Sequence, residues 1–379
     1  MTRALSFLSL VAIFALLLAN SVTATTYAVA DVGVPTGGIM GVSGINRFGT
    51  VVGTAGSGSS QRAFTWGAAT GFTYLDPLPG YMYSSASGIN DSGQVIGGSH
   101  SSAPYVYLNR ACLWEGQSAV TDIGTWPSGD YSPYSTALGI NDEGQVIGYS
   151  TSATGASSPF IWTESTGMQH LSGVDPAVSA IPRAINDSGM VVGGHGSNAF
   201  IWTSSMGMTD LNVDTTADMS NITALAVNNA GQVLCGRYST SSIGQPFIWR
   251  DGRTVATIGP LPGSRYPGLA ADDINDLGQV VGSSGEHIPF IWDPIEGIQA
   301  LPMQTGFSIC WARAVNDEGI IVGSGMDSSG NEHLLLWTPV PEPSSPFSRA
   351  WAASVLSCGA DRASFPSQHS NVPTAVLCP

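Results

Sequence analysis

Six histidines offer acid–base or metal chemistry: His100, His170, His195, His287, His333 and His369. Their positions are scattered and share no ligand spacing. The chain has no His-Glu-x-x-His, no Gly-x-Ser-x-Gly and no Gly-x-Gly-x-x-Gly. Glu286-His287 and Glu332-His333 fall in equivalent loops of the last two repeats described below, but a dipeptide specifies no reaction. All 12 basic residues are Arg, so Schiff-base chemistry and a phosphate-loop lysine are excluded. These residues point to no catalytic constellation, no metal centre and no cofactor.

The strongest side-chain cluster is aromatic. Six of the 11 tyrosines lie between positions 81 and 134: Tyr81, Tyr83, Tyr105, Tyr107, Tyr131 and Tyr134, with Trp126 among them. Tyr and Trp present flat apolar faces with hydrogen-bonding edges, which suits a sugar ring or a protein partner. The same rings could instead pack on one another and stiffen long loops. Arg265 and Tyr266 form a second, smaller candidate site. With 27 acidic against 12 basic residues and a net charge of −15, a neutral or cationic ligand is favoured over a polyanion. Nucleic acid is excluded as a partner, because such a surface cannot neutralise a phosphate backbone.

The elements that must position these residues repeat. Gly88–Ser99 reads GINDSGQVIGGS, and near-copies stand at 139 (GINDEGQVIGYS), 184 (AINDSGMVVGGH) and 273 (DINDLGQVVGSS). Alignment on the repeated asparagine gives seven copies, at Asn46, Asn90, Asn141, Asn186, Asn228, Asn275 and Asn316. Each unit has the same parts. A short strand ends in Ile-Asn or Val-Asn, a turn carrying Gly follows, and a β-branched run returns. A variable loop leads to an aromatic-apolar strand ending in Trp (AFTW, ACLW, PFIW, AFIW, LLLW), and a Gly opens a last strand. Seven of the 10 tryptophans occupy that one position.

Asn-Asp-x-Gly is hairpin chemistry: the side chains bond nearby amides and Gly takes positive φ. It lacks the alternating oxygen ligands of a calcium loop. Asn-Asp-Ser at Asn90 and Asn186 also matches a glycosylation sequon, but the tight hairpin accounts for it.

Four short strands per repeat of about 45 residues, seven times over, predict an all-β, seven-bladed propeller. The ends predict how it closes. Tyr27–Gly33 resembles a fourth strand with no first three before it, and the seventh repeat stops at its third strand, Leu335-Leu336-Trp337. The N-terminal strand is therefore expected to complete blade seven, with the propeller spanning 25–338. The invariant turns then lie on one face. The loops between strands two and three, and those between blades, open on the other.

The termini carry an address. Arg3, the apolar run 4–18 and the small residues Val22 and Ala24 form a secretory signal over 1–24. Cys112, Cys235 and Cys310 fall within strand patterns and are expected as buried thiols; Cys358 and Cys378 lie in the tail.

The repeated Ala-x-x-Ile-Asn-x-x-Gly-x-Val-Val-Gly followed by Ala-Phe-x-Trp resembles the HAF-type probable extracellular repeat of bacteria, across about residues 25–338. That resemblance implies export and transfers no activity to single residues. Val340-Pro341-Glu342-Pro343-Ser344 resembles the start of a PEP-CTERM sorting signal of Gram-negative bacteria. Here no apolar span follows, so 339–379 is expected to be a disordered tail without a stable membrane anchor. The Ser-x-Asp-x-Gly-x-Thr-Trp box of sialidase propellers is absent. The expected protein is a secreted or cell-surface monomer that binds extracellular polysaccharide or a surface protein. A secreted hydrolase or lyase of extracellular polymers is the alternative.

Overall fold

The computed structural model describes residues 25–103, 106–126, 134–151, 156–173, 179–211, 221–237 and 245–340. The expected signal segment, residues 1–24, and the tail beyond Val340 lie outside these residues. Seven antiparallel sheets of four strands form the ring of a seven-bladed β-propeller, as the repeat predicts. Blade one comprises Ile39–Ile45, Val51–Ala55, Arg62–Gly67 and Gly71–Leu75, from the axis outward. The innermost strands of blades two to seven are Tyr83–Ile89, Ser135–Ile140, Ala180–Ile185, Ile222–Val227, Leu269–Ile274 and Phe307–Val315.

The N-terminal strand closes the ring. Tyr27–Gly33 pairs antiparallel with Glu332–Pro339 and is the outermost strand of blade seven. Val340 N–H donates to Thr26 O at 2.7 Å, carrying the pairing to the end of the described chain. Thr25 also ties to blade six, donating its N–H to Glu296 Oε2 at 2.9 Å.

No blade can bury both of its faces alone, so the apolar residues gather in the gaps. There are seven clusters, one between each pair of neighbouring blades. The aromatic residue two before each Trp forms the centre of its blade: Phe64, Phe160, Phe200, Phe247 and Phe290 are fully buried, as are Cys112 and Leu335 at the same position. Each such ring contributes roughly 1.5–3 kcal/mol by leaving water.

Four of the seven repeat tryptophans are buried (Trp114, Trp162, Trp202 and Trp337), and the other three are half-buried. Three of them use the indole N–H to grip the preceding blade. Trp114 donates to Asp76 O at 2.7 Å, Trp202 to Ser172 O at 3.0 Å and Trp337 to Pro302 O at 2.8 Å. Cys112, Cys235 and Cys310 are buried free thiols, as expected.

The repeated turn works differently from its sequence reading. Its Gly adopts positive φ as expected (Gly93, φ 82). Each Asn side chain does cap its own turn: Asn90 Oδ1, for example, accepts from Gln94 N at 2.9 Å. The same side chain also reaches outward. Asn90 Nδ2 donates to Asn141 O at 3.1 Å, Asn141 to Asn186 O at 2.9 Å, and so on until Asn316 donates to Asn46 O at 3.0 Å. The seven buried asparagines thus form an unbroken circle of inter-blade hydrogen bonds. Burial of Asn90 and Asn186 leaves neither sequon accessible.

The Asp that follows does not initiate its own turn. It accepts the backbone N–H of the preceding blade's corresponding residue, as Asp142 Oδ1 does from Asp91 N at 2.8 Å.

Candidate functional site

The innermost strands carry one irregularity that the repeat alignment conceals. In every blade the ladder skips the residue three before the repeated Asn, for instance between Ala86 and Gly88. A β-bulge leaves one residue unpaired and re-aims its side chain. The bulge also explains a glycine of the return strand. A Cβ on Gly97 would stand 1.9 Å from Ser85 O, so the bulged strand leaves no room for a side chain there.

The seven bulged residues are Ser43, Ser87, Leu138, Arg183, Leu225, Asp272 and Arg313, and all line a cavity of about 350 Å³ in the central channel. They differ from blade to blade while the positions around them recur. Ser43 Oγ donates to Ala86 O and Ser87 Oγ to Ala137 O, both at 2.8 Å, so their remaining capacity is to accept. On the other side Arg313 Nη1 donates to Asp272 Oδ1 at 3.2 Å. Asp272 Oδ2 is buried and has no partner among the described residues. Arg183 is exposed to the channel and makes no ion pair among the described residues.

One residue further along, blade six places Asp273 where the other blades have Gly or Ala. Asp273 Oδ2 accepts from Val315 N at 3.0 Å, and Oδ1 from Ile274 N at 2.9 Å. Burial pushes the carboxyls of Asp272 and Asp273 up to about 6 each. Arg313 opposes this at Asp272, while the two amide bonds oppose it at Asp273.

At the hairpin mouth of the channel lies a second ring of Asp91, Asp142, Asp187, Asp276 and Asp317, with Arg47 and Asn229 at the two remaining places. Arg47 Nε pairs with Asp91 Oδ2 at 3.3 Å, and Asn229 Nδ2 bridges Asp187 at 2.7 Å and Asp276 at 3.0 Å. Burial raises the pKa of Asp142, helped by the charges of Asp91 and Asp187. Asp317 is raised the same way, by burial and then by Asp276, Asp91 and Asp187. Among the described residues, no group of three or more His, Cys, Asp or Glu is placed to hold a metal.

The aromatic candidates are held by separate neighbours. Tyr81 packs on the core between blades one and two. Burial raises its hydroxyl pKa, against a hydrogen bond from Arg110, which itself pairs with Asp122 at 3.2 Å. Tyr83 opens the innermost strand of blade two, opposite His100 in the ladder. Trp126 stacks on His170 of blade three with ring centroids 3.8 Å apart, and its backbone N–H donates to Ser150 Oγ at 3.0 Å, while its indole Nε1 is buried without a hydrogen-bond partner among the described residues. Tyr134 and Tyr149 meet at 6.0 Å between centroids. Tyr105, Tyr131 and the side chain of Tyr107 lie outside the described residues.

On the loop face of blade six, Tyr266 is exposed with the Arg265 guanidinium 5.8 Å from its ring, and Arg265 N donates to Glu286 Oε1 at 2.8 Å. His287 follows with φ 59 and accepts from Trp311 Nε1 at 3.1 Å. Glu286 is therefore tied to the Arg265 loop and His287 to the innermost strand of blade seven. The channel residues Arg183, Asp272, Asp273 and Arg313 were not legible as a group. Their signal was the variable position inside an otherwise constant Ala-x-x-Ile-Asn.

No protein-family model matches the chain, and no curated protein matches it in sequence. Solved structures do resemble it. A catalytically inactive virginiamycin B lyase of Staphylococcus aureus, crystallised with quinupristin, aligns over 83% of this chain and 100% of its own, with 13% identity and a TM-score of 0.52. The selenomethionine-substituted form of that lyase aligns over the same shares, with 14% identity and a TM-score of 0.50. At this identity the likeness is one of fold alone: the chain is a seven-bladed β-propeller.

Proposed function

We propose that this chain is an exported binding protein of a bacterial cell surface or extracellular matrix, and that it holds an extracellular polysaccharide on the loop face of its ring. One observation carries the reading. Recurrent residues join the blades by hydrogen bonds, while the bulged position that faces the channel differs in chemistry around the ring. A rigid scaffold bearing a variable socket is how propellers and other superfolds present ligand sites. The secretory signal and the resemblance to HAF-type repeats support export. Tyr83 and Tyr266, beside the loops, supply sugar-stacking faces at the rim.

The test is binding of the purified chain to isolated extracellular polysaccharides, before and after Tyr83→Ala with Tyr266→Ala. The double variant is expected to keep its melting temperature and lose at least about tenfold in affinity, equivalent to ~1.4 kcal/mol. A folded variant that binds as before would place the rim elsewhere.

A second reading, a polysaccharide hydrolase or lyase, is favoured by Asp272. Its buried, unpartnered Oδ2 and raised pKa are what a general acid or base needs. Release of new reducing ends or unsaturated products, abolished in Asp272→Asn, would establish that reading over binding.

A further inference from the structure

We propose that Arg183 and Arg313 form a clamp in the central channel that takes the carboxylate of a uronic acid residue. The inference rests on the binding reading above and names the ligand's chemistry.

Arg183 and Arg313 occupy the same bulged position in blades four and seven, facing one cavity from two sides. A guanidinium stays charged at any accessible pH and offers a planar fork that matches a carboxylate. Arg183 has no acidic partner among the described residues, in a chain where acidic residues outnumber basic ones 27 to 12. Among the described residues Arg313 is braced by Asp272 through Nη1, and no other donor of its fork is hydrogen-bonded. Arg313 is thus held in position with donors to spare.

The bulged serines of blades one and two, which lie between blades seven and four around the ring, supply the complement. Ser43 and Ser87 donate their protons to backbone carbonyls, which leaves only acceptor capacity for a ligand. Lone pairs accept from sugar hydroxyls, so a ligand with a carboxylate toward the arginines and hydroxyl donors toward the serines suits this lining. The cavity of about 350 Å³ falls at the small end of ligand sites, which run roughly 300–1,000 Å³. Asp272 and Asp273 line the same cavity, and the ring of five aspartates lies at the hairpin mouth. Arg313 is already paired with Asp272, so Arg183 is the cation left to meet a single carboxylate, and a dianion such as a phosphate ester would leave one charge uncompensated beside Asp273.

The repeat itself provides clean variants. Leu138 and Leu225 fill the bulge in blades three and five, so Arg183→Leu places a side chain the architecture already accepts. Ser fills it in blades one and two, so Arg313→Leu with Asp272→Ser removes the second cation without orphaning its carboxylate.

The experiment is calorimetric titration of the full chain with galacturonate, galactose, galactose 6-phosphate and a peptide bearing a free C-terminal carboxylate. Galacturonate is expected to bind at least about tenfold more tightly than each of the others, and Arg183→Leu and the double variant to lose about tenfold each. Equal binding of galactose, tighter binding of the phosphate or of the peptide, no binding of galacturonate, or unchanged affinity in folded Arg183→Leu would each overturn the proposal. Failure of the unmodified chain to bind any extracellular polysaccharide, with galacturonate still bound, would sink the polysaccharide reading alone.

Discussion

The two rings at the hairpin mouth look alike in sequence but differ in burial, and Asn228→Ala against Asp142→Ala measures that difference. Asn228 is buried and makes three hydrogen bonds: Nδ2 to Asn275 O at 2.9 Å, Nδ2 to Gln232 Oε1 at 2.8 Å, and Oδ1 from Gln232 N at 2.9 Å. Truncation leaves the Gln232 N–H without its acceptor. Asn275 O keeps one donor, Gly278 N at 3.0 Å, so that end is only partly orphaned.

At about 1–3 kcal/mol for a buried group left unpaired, with a small cavity added, Asn228→Ala should cost about 2–3 kcal/mol. Asp142 instead stands at the wet mouth and accepts one bond, from Asp91 N. Its charge is opposed by Asp91 and Asp187. Losing that bond costs about 0.5–1 kcal/mol, and relief of repulsion offsets most of it. Asp142→Ala should therefore fall within about 0.5 kcal/mol of the parent in 0.1 M salt, where the Debye length is ~10 Å. At lower salt it should gain relative to the parent. Urea unfolding monitored by tryptophan fluorescence reads both values. If the two variants cost the same, or if Asp142→Ala loses ground as salt is removed, the assignment of the inter-blade hold to the asparagine circle is wrong.

Deleting residues 25–33 removes the strand paired along Glu332–Pro339, so the melting temperature should fall markedly and strand 332–339 should lose hydrogen-exchange protection; an unchanged melting temperature would refute closure by this strand. Asp273 has its pKa raised to about 6 from an ordinary 3.8, so the folded state binds the extra proton. The contribution of this group to stability should then be greatest below about pH 4 and be lost as pH rises through about 6, by about 1–2 kcal/mol once the open channel's water is allowed for. Asp273→Ala, the residue found here in blades four, five and seven, should remove Asp273's share of that slope and leave the share of Asp272, whose carboxyl is raised likewise; a variant with the slope unchanged, or less stable at pH 7, would show that the amide bonds outweigh burial.

The architecture was readable because each of its determinants recurs. One Asn, one Trp or one Phe-x-Trp strand carries little information. Seven copies at a period near 45 exclude most alternatives, and the complementary ends at Tyr27–Gly33 and Trp337 point to the closing pair. The role of the turn Asp was misassigned for a physical reason. A carboxylate beside a turn has two amides within reach, its own and its neighbour's, and only the ring geometry brings the neighbour's to 2.8 Å. The aromatic cluster shows the same limit. Proximity in sequence placed Trp126 beside Tyr134, yet blade packing sets Trp126 on His170 and Tyr134 on Tyr149.

The candidate site is harder to read because a repeat hides it by averaging. Residues that build the ring must be the same in every blade, so they define the motif. A residue that meets a ligand on the axis is under no such constraint, and alignment reduces it to an x. The informative step is then to subtract the motif and keep what is left. At the bulged position the residue types are Ser, Ser, Leu, Arg, Leu, Asp and Arg, and at the next position Asp273 interrupts a run of Gly and Ala. Charge at these places works against burial: the Asp272 and Asp273 carboxyls both pay for it with raised pKa values. A scaffold alone would gain stability from Gly or Ala at 273, which its sister blades accept. Charged residues concentrated in blades four, six and seven, in one tier of one channel, are what a ligand would require and what ring closure would not.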